Sequence, residues 1–319
     1  VKGEARINTV PVSVEWSEKK KNKGINNNEL KTIINISAEV NETHLAALNL
    51  DFLSARIRGY VQADVTLSGS LNNFTLLEVT ADLSKAKASF SPLNHIKPVN
   101  TPGMIKVRTD YGDKGRVKGA LLDIDLADFS TQVEFTYDDY ITDLKISPFV
   151  IKDKYNFSLS FGENKDHYEI LLQGKDFDIS ALTKPIDFGL PDGVLSSEKK
   201  GQSPFDWVNR LGENLSIKLD VDTLHMNNGV ALKGVSGVVE RQDNLFEKIV
   251  LNGSFTEKHR LSYVLFRDEN RNRHVSLEVP KAEYFFKGFG FIEGIEGGYV
   301  SLNGTIPDTP SDDIEELDK

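Results

Sequence analysis

Six histidines are the first candidates for chemistry: His44, His95, His167, His225, His259 and His274. No two stand in an H-x-x-x-H or H-x-H relation, so a metal site needs long-range assembly, and scattered surface or turn histidines are the simpler reading. Acidic pairs recur at i, i+2, as Asp123/Asp125, Asp176/Asp178 and Asp220/Asp222. Paired carboxylates suit Ca²⁺ or glycoside hydrolysis. In a strand, however, that spacing puts both on one face and their apolar neighbours on the other, which is the wet face of a sheet. There is no G-x-S-x-G elbow, P-loop or G-x-G-x-x-G. The nearest cluster, Gly288 to Gly294, lacks a preceding buried strand and reads as a helix stop and turn. Lys19 to Lys23 is nearly all lysine and is followed by Gly24 and Asn26 to Asn28, the makings of a solvated hairpin loop. Cys is absent, which excludes thiolate metal sites, Cys nucleophiles and disulfides. That absence suits the cytosol and an oxidising compartment equally. The residues point to no enzyme, metal or cofactor.

The elements that carry these residues are strands. Val61, Ala63, Val65 and Leu67 alternate with Gln62, Asp64, Thr66 and Ser68. Leu122, Ile124 and Leu126 repeat the pattern, as do Val133 and Phe135, Phe157 and Leu159, Ile217 and Leu219, and Val275 and Leu277. Period two with one apolar face defines a half-buried strand. Clusters at 71–73, 111–113, 162–164 and 227–229 supply Asn, Asp and Gly for the turns between strands. Helix signals are few: Leu45 to Leu53, Phe205 to Leu211 with Ser203 as cap, and Lys281 to Phe289. The run Ala55 to Ser68 reads as one long strand with a single internal glycine, Gly59. The fold class expected is mostly β, with long antiparallel strands forming an elongated, curved, groove-like sheet and a few short helices. The breaker-rich stretch 185–204 separates a first β segment, 1–184, from a second, 205–306. An acidic tail, 307–319, follows.

The 319 residues carry a net charge of −10. After Pro307 there are six acidic residues and one lysine, a balance of −5. The body is close to neutral, which argues against a nucleic-acid surface. No run is long and apolar enough for a membrane span. Val1 opens inside a strand pattern, so the chain is expected to be a segment of a longer protein.

Many long strands with few helices to cover them must bury their apolar faces somewhere. They can close as a barrel, pack as a sandwich, or curl into a trough that holds an apolar ligand. A loose repeat bears on this choice: a strand ending in Gly, a turn, then apolar-Asp-apolar-small. It stands here as Ala81-Asp-Leu-Ser-Lys-Ala-Lys-Ala-Ser-Phe90, Gln173-Gly-Lys-Asp-Phe-Asp-Ile-Ser-Ala-Leu182 and Ile292-Glu-Gly-Ile-Glu-Gly-Gly-Tyr-Val-Ser-Leu-Asn-Gly304. With the opening VKGEARINTVPVSVEW, it resembles the AsmA-like family of Gram-negative envelope proteins, in particular the YhdP-type members. The resemblance spreads over nearly the whole chain and is made of strand rhythm and small residues.

The resemblance implies a periplasmic β-groove protein held in the inner membrane by an anchor N-terminal to Val1. Such a protein carries phospholipid between inner and outer membranes and supports the outer-membrane barrier. Acyl chains are the expected partner, and nucleic acid is not. The side chains expected to line the groove are Val61, Val65, Leu67, Leu122, Ile124, Val133, Phe135, Phe157, Leu159, Ile217, Leu219, Leu251, Phe255, Val275 and Leu277. The alternative is a purely structural β module, like an adhesin or passenger segment, without ligand.

The tail supplies one test. Thr309 to Lys319 has only Ile314 and Leu317 as large apolar side chains, too few to offset the entropy of ordering it. Truncation after Pro307 is expected to leave the melting temperature unchanged within error. A drop of several degrees shows that the tail packs.

Overall fold

The computed structural model describes residues 1–20, 30–90, 95–112, 115–138, 140–164, 167–180, 214–243, 245–289 and 296–307. The described residues fall into two compact units, 1–153 and 154–307. The linker 185–204, the Phe205–Leu211 helix and the acidic tail beyond Pro307 lie outside the described residues. Among the described residues, no helix is long and apolar enough to cross a membrane.

The first unit is a sheet of nine strands: β1 (Lys2–Ile7), β2 (Val10–Lys20), β3 (Leu30–Val40), β5 (Val61–Ser70), β6 (Asn73–Asp82), β9 (Gly103–Tyr111), β10 (Val117–Leu126), β11 (Phe129–Asp138) and β12 (Tyr140–Ile151). They lie side by side in that order, every pair antiparallel. Two-residue turns join several of them, at 8–9, 71–72 and 127–128, and Asn8 takes the positive φ (54°) that such turns favour. A three-stranded sheet of β4 (Ile57–Gly59), β7 (Ala86–Phe90) and β8 (His95–Lys97) sits with two short helices, α1 (Glu42–Ala47) and α2 (Asp51–Ser54).

The second unit has eight strands: β13 (Tyr155–Asn164), β14 (His167–Asp178), β15 (Asn214–His225), β16 (Ala231–Gln242), β17 (Leu245–Thr256), β18 (His259–Arg267), β19 (Arg273–Val279) and β20 (Val300–Ile306). They also lie in chain order. Only β14 and β15 are parallel; the other pairs are antiparallel. One helix, α3 (Ala282–Phe289), precedes β20. Neither sheet closes into a barrel. The mostly β class with long antiparallel strands and a few short helices is the one the alternation predicts.

Three local expectations need correction. The strand expected over Ala55–Ser68 is broken at Gly59. Its φ of +110° turns the chain out of the large sheet, and a Cβ there would lie 2.7 Å from the Lys85 carbonyl oxygen. The helix expected over Leu45–Leu53 is two pieces, because Asn49 adopts a left-handed φ of 59° between them. The turn expected at 162–164 is strand, and β13 runs on to Asn164.

Each unit is sealed at one end. In the first, α1 is started by Asn41, whose side-chain oxygen accepts from the backbone N–H groups of Thr43 and His44, both at 3.1 Å. The helix then drives Leu45 into a core with Val10, Val12, Val40, Val61, Leu83, Ala86 and Ala88. In the second, Tyr284 and Phe285 of α3 pack on Leu224, Met226, Leu232, Phe255, Leu261 and Val279. Gly288 lets the helix approach closely there: a Cβ would lie 3.0 Å from the end of the Met226 side chain, which would have to shift by a few tenths of an ångström.

The seal of the first unit contains a buried cation. Lys97 on β8 has 0% exposure. Its ammonium donates to the carbonyls of Leu83 (2.8 Å), Ala86 (3.0 Å) and Pro98 (3.0 Å). Burial holds its pKa below the ordinary lysine value, with Asp82 opposing. The bonds to Leu83 and Ala86 tie β8 to the β6–β7 connection, and the third turns back to the next residue of its own segment. Replacing Lys97 with Met keeps the volume and leaves three carbonyls without a donor, so a loss of about 2–4 kcal/mol is expected. Chemical denaturation of the variant checks it, and an unchanged midpoint refutes the structural role.

Candidate functional site

Ladder register places the apolar side chains of the first unit on one face, in rows that cross eight of its nine strands, β2 to β12. One row runs Val14, Ile36, Val65, Val79, Val107, Leu122, Val133 and Ile146 through successive Cα partners. The next runs Trp16, Ile34, Leu67, Leu77, Thr109, Ala120, Phe135 and Leu144. Near the seal the side chains of this face are buried, as at Val40, Val61, Leu126, Phe129 and Ile151. Away from it they are half-buried: every member of the first row has intermediate exposure. A depression of about 600 Å³, lined by Leu67, Phe74 and Tyr111 with Asn72, Asn73 and Gly115, lies at the end remote from the helices.

The second unit repeats the rows, but Leu172 and Leu265 within them, and Leu215 at the end remote from the helix, are buried. Leu159, Leu172, Leu219, Gly237, Leu251, Tyr263, Leu277 and Leu302 form one row. Phe161, Ile170, Ile217, Val239, Ile249, Leu265, Val275 and Gly304 form the next. Towards the seal the aromatic rings of Tyr155, Phe157 and Phe177 meet edge to face, with centroids 4.9–6.1 Å apart. Burial, with Asp178 adding to it, pushes the Tyr155 hydroxyl up to about 12, and it donates to the Asp178 carbonyl at 3.0 Å.

All fifteen residues expected to line a groove lie on these two faces, the first seven in one unit and the last eight in the other. Val61, Ile124 and Phe255 are buried near the seals; the other twelve are half-buried. A closed two-layer core of this size would bury most of them. The structure adds members the sequence reading passed over, among them Val14, Ile36, Val79, Val107, Leu172, Val239 and Ile249. Their signal was weaker, because Ile33-Ile34 and Ile249-Val250-Leu251 interrupt the alternation of Thr32–Val40 and Lys248–Phe255. The opposite faces are mainly polar, although Val238, Val250 and Val264 form an apolar row across β16, β17 and β18.

The residues with catalytic potential meet in small, separate groups. His225 meets Asp176 at 3.1 Å, and Thr256 meets His259 at 2.6 Å. His274 lies between Asp268 (2.9 Å) and Thr305 (3.1 Å). This hydroxyl–imidazole–carboxylate chain stands on the polar face, where it fastens the 268–272 turn to the edge strand. The hydrogen bond with His274 first, then those from Asn272 and the Asn270 backbone, hold the Asp268 carboxyl below its ordinary value. Asp123 and Asp125 lie on the polar face opposite Gln132 and Ser130. Among the described residues, no group of three His, Asp or Glu side chains could hold a metal ion.

No protein-family model, curated sequence or solved structure matches the chain.

Aspartate substitution distinguishes open face from closed core. Val65→Asp and Leu219→Asp are expected to fold with modest loss, because the carboxylate reaches water across a half-exposed face. Ile124, at 9% exposure, has no such route, and Ile124→Asp should cost several kcal/mol. Circular dichroism and thermal melts read the difference. Unfolding of all three variants shows that the faces are closed.

Proposed function

We propose that the two half-open apolar faces bind lipid acyl chains, and that the chain is a lipid-carrying segment of a Gram-negative envelope protein. The observation that carries the reading is a pair of sheets whose apolar rows each cross eight strands and are mostly half-exposed away from the seals, with Thr109, Leu172, Leu215 and Leu265 as buried exceptions. An apolar face of that extent in contact with water is unfavourable by about 25 cal/mol per Å². An acyl chain laid along it removes that cost, at about 0.8 kcal/mol per CH₂. Because neighbouring rows are chemically alike, a bound chain has no deep trap and slides.

The resemblance to AsmA-like proteins supports the same reading and supplies its setting: the periplasm, attachment to the inner membrane, and delivery of phospholipid that maintains the outer membrane. Nothing in the constellation of histidines and carboxylates calls for an enzymatic role.

Mass spectrometry of lipid extracts from the purified protein tests the proposal. Co-purifying phospholipid is expected in wild type, with a clear reduction in Leu219→Asp. A wild-type protein that carries no lipid and takes up none from phospholipid vesicles is a structural module instead.

A further inference from the structure

The apolar face of the second unit ends in a row where Glu163, Tyr168, Leu215 and Arg241 are successive Cα partners and where three arginines outnumber Glu163 and Glu247. Beyond the row Val239, Ile249, Leu265 and Val275, the next inward positions are Arg241, Arg267 and Arg273. Arg267 and Arg273 are direct Cα partners on β18 and β19, and Arg241 stands opposite Phe246 two strands away. Tyr168, stacked on Phe161 at 5.6 Å, closes the same end. Arg241 is 4% exposed, and the Arg267 side chain is 13% exposed. The Arg267 guanidinium meets Glu247 at 2.5 Å and donates to the Arg271 carbonyl at 3.3 Å. Among the described residues, the Arg273 side chain makes neither an ion pair nor a hydrogen bond.

Like charges directly opposite each other on a ladder are destabilising. Here the repulsion is held at the rim of an apolar surface, where screening by water is weaker. Glu247 answers one guanidinium of the facing pair. Arg273 keeps its donors, on the side where the apolar rows begin. Guanidinium forks match phosphate oxygens in bidentate geometry and are less strongly hydrated than ammonium. An anion on one side and a run of aliphatic side chains on the other is the polarity of a phospholipid.

We infer that this arginine end is a phosphate-oxyanion site that holds the headgroup of a lipid whose acyl chains lie on the second unit's face. The inference rests on the acyl-chain reading above and adds to it a fixed orientation and a preference for phosphate-bearing lipids.

The test compares dioctanoyl phosphatidylglycerol, dioctanoylglycerol and inorganic phosphate by titration calorimetry on the whole chain. Arg273→Gln is the variant. Arg260→Gln, on the polar face of β18, is the control. Arg273→Gln should weaken phosphatidylglycerol about tenfold or more, the worth of one charge-assisted contact. It should leave dioctanoylglycerol unchanged, and Arg260→Gln should change neither. Thermal melting should show Arg273→Gln at least as stable as wild type, since it relieves repulsion. Equal phosphatidylglycerol affinity in wild type and Arg273→Gln overturns the inference and leaves the acyl-chain reading standing. Failure of wild type to bind either lipid removes the acyl-chain reading and this inference with it. Inorganic phosphate binding as tightly as phosphatidylglycerol, with both weakened by the variant, makes the anion free phosphate and overturns the headgroup assignment.

Discussion

A residue displaced by one position along a strand moves from one face of the sheet to the other. A continuous apolar face therefore requires every ladder to hold its register, and the rest of each unit depends on this. The row from Val14 to Ile146 survives seven successive pairings. Where the chain has an extra residue, a bulge absorbs it. Between β11 and β12 the register shifts at Thr131/Val133, yet Val133 still meets Ile146 and Thr131 still meets Phe149. Between β13 and β14 a shift at Asn156/Phe157 returns Phe177 to the apolar side, where it contacts Phe157. Bulges here preserve the face.

Strand identity and the apolar side of each strand were legible in the sequence because alternation is a local signal; which side is concave was not. Each apolar residue chosen from that pattern stands on the expected side. What could not be read was where a face is covered, since that depends on residues far apart in the chain. Ile124 and Leu122 look equivalent in sequence. Ile124 is buried and Leu122 is half-buried because Ile124 lies nearer the seal. The arginine row escaped for a related reason: Arg241, Arg267 and Arg273 come from three strands, and only the ladder brings them to one end. Lys97 escaped because no local pattern marks a lysine that caps three carbonyls. Gly59 was visible but was read as a tolerated interruption. Its conformation follows from the approach of Lys85 and Ala86, which the local pattern does not encode.

The two units solve the same problem with different parts. Both must cover the most apolar end of a sheet without covering all of it. The first uses a small second sheet and two short helices, locked by a cation that is itself satisfied by backbone. The second uses one amphipathic helix, with Glu283 accepting from the Gly297 N–H at 3.1 Å to hold the returning chain. In both, the seal supplies the fully buried core that folding needs, and so releases the rest of the face from that duty.

The last strand of the second unit has a property of another kind. Among the described residues, β20 pairs only with β19, and no described strand takes up the donors and acceptors on its other side. Its sequence, Val300 to Ile306, contains no Lys, Glu, Asp, Arg or Pro, and Leu302 and Ile306 are exposed. Natural sheets guard such borders with charge or proline. The strand at the other unit's border, β1, carries Lys2, Glu4 and Arg6. The unguarded border is therefore a template, where an extended stretch of polypeptide can add as one more rung without displacing an existing one. In concentrated solution it is the place from which self-association would grow.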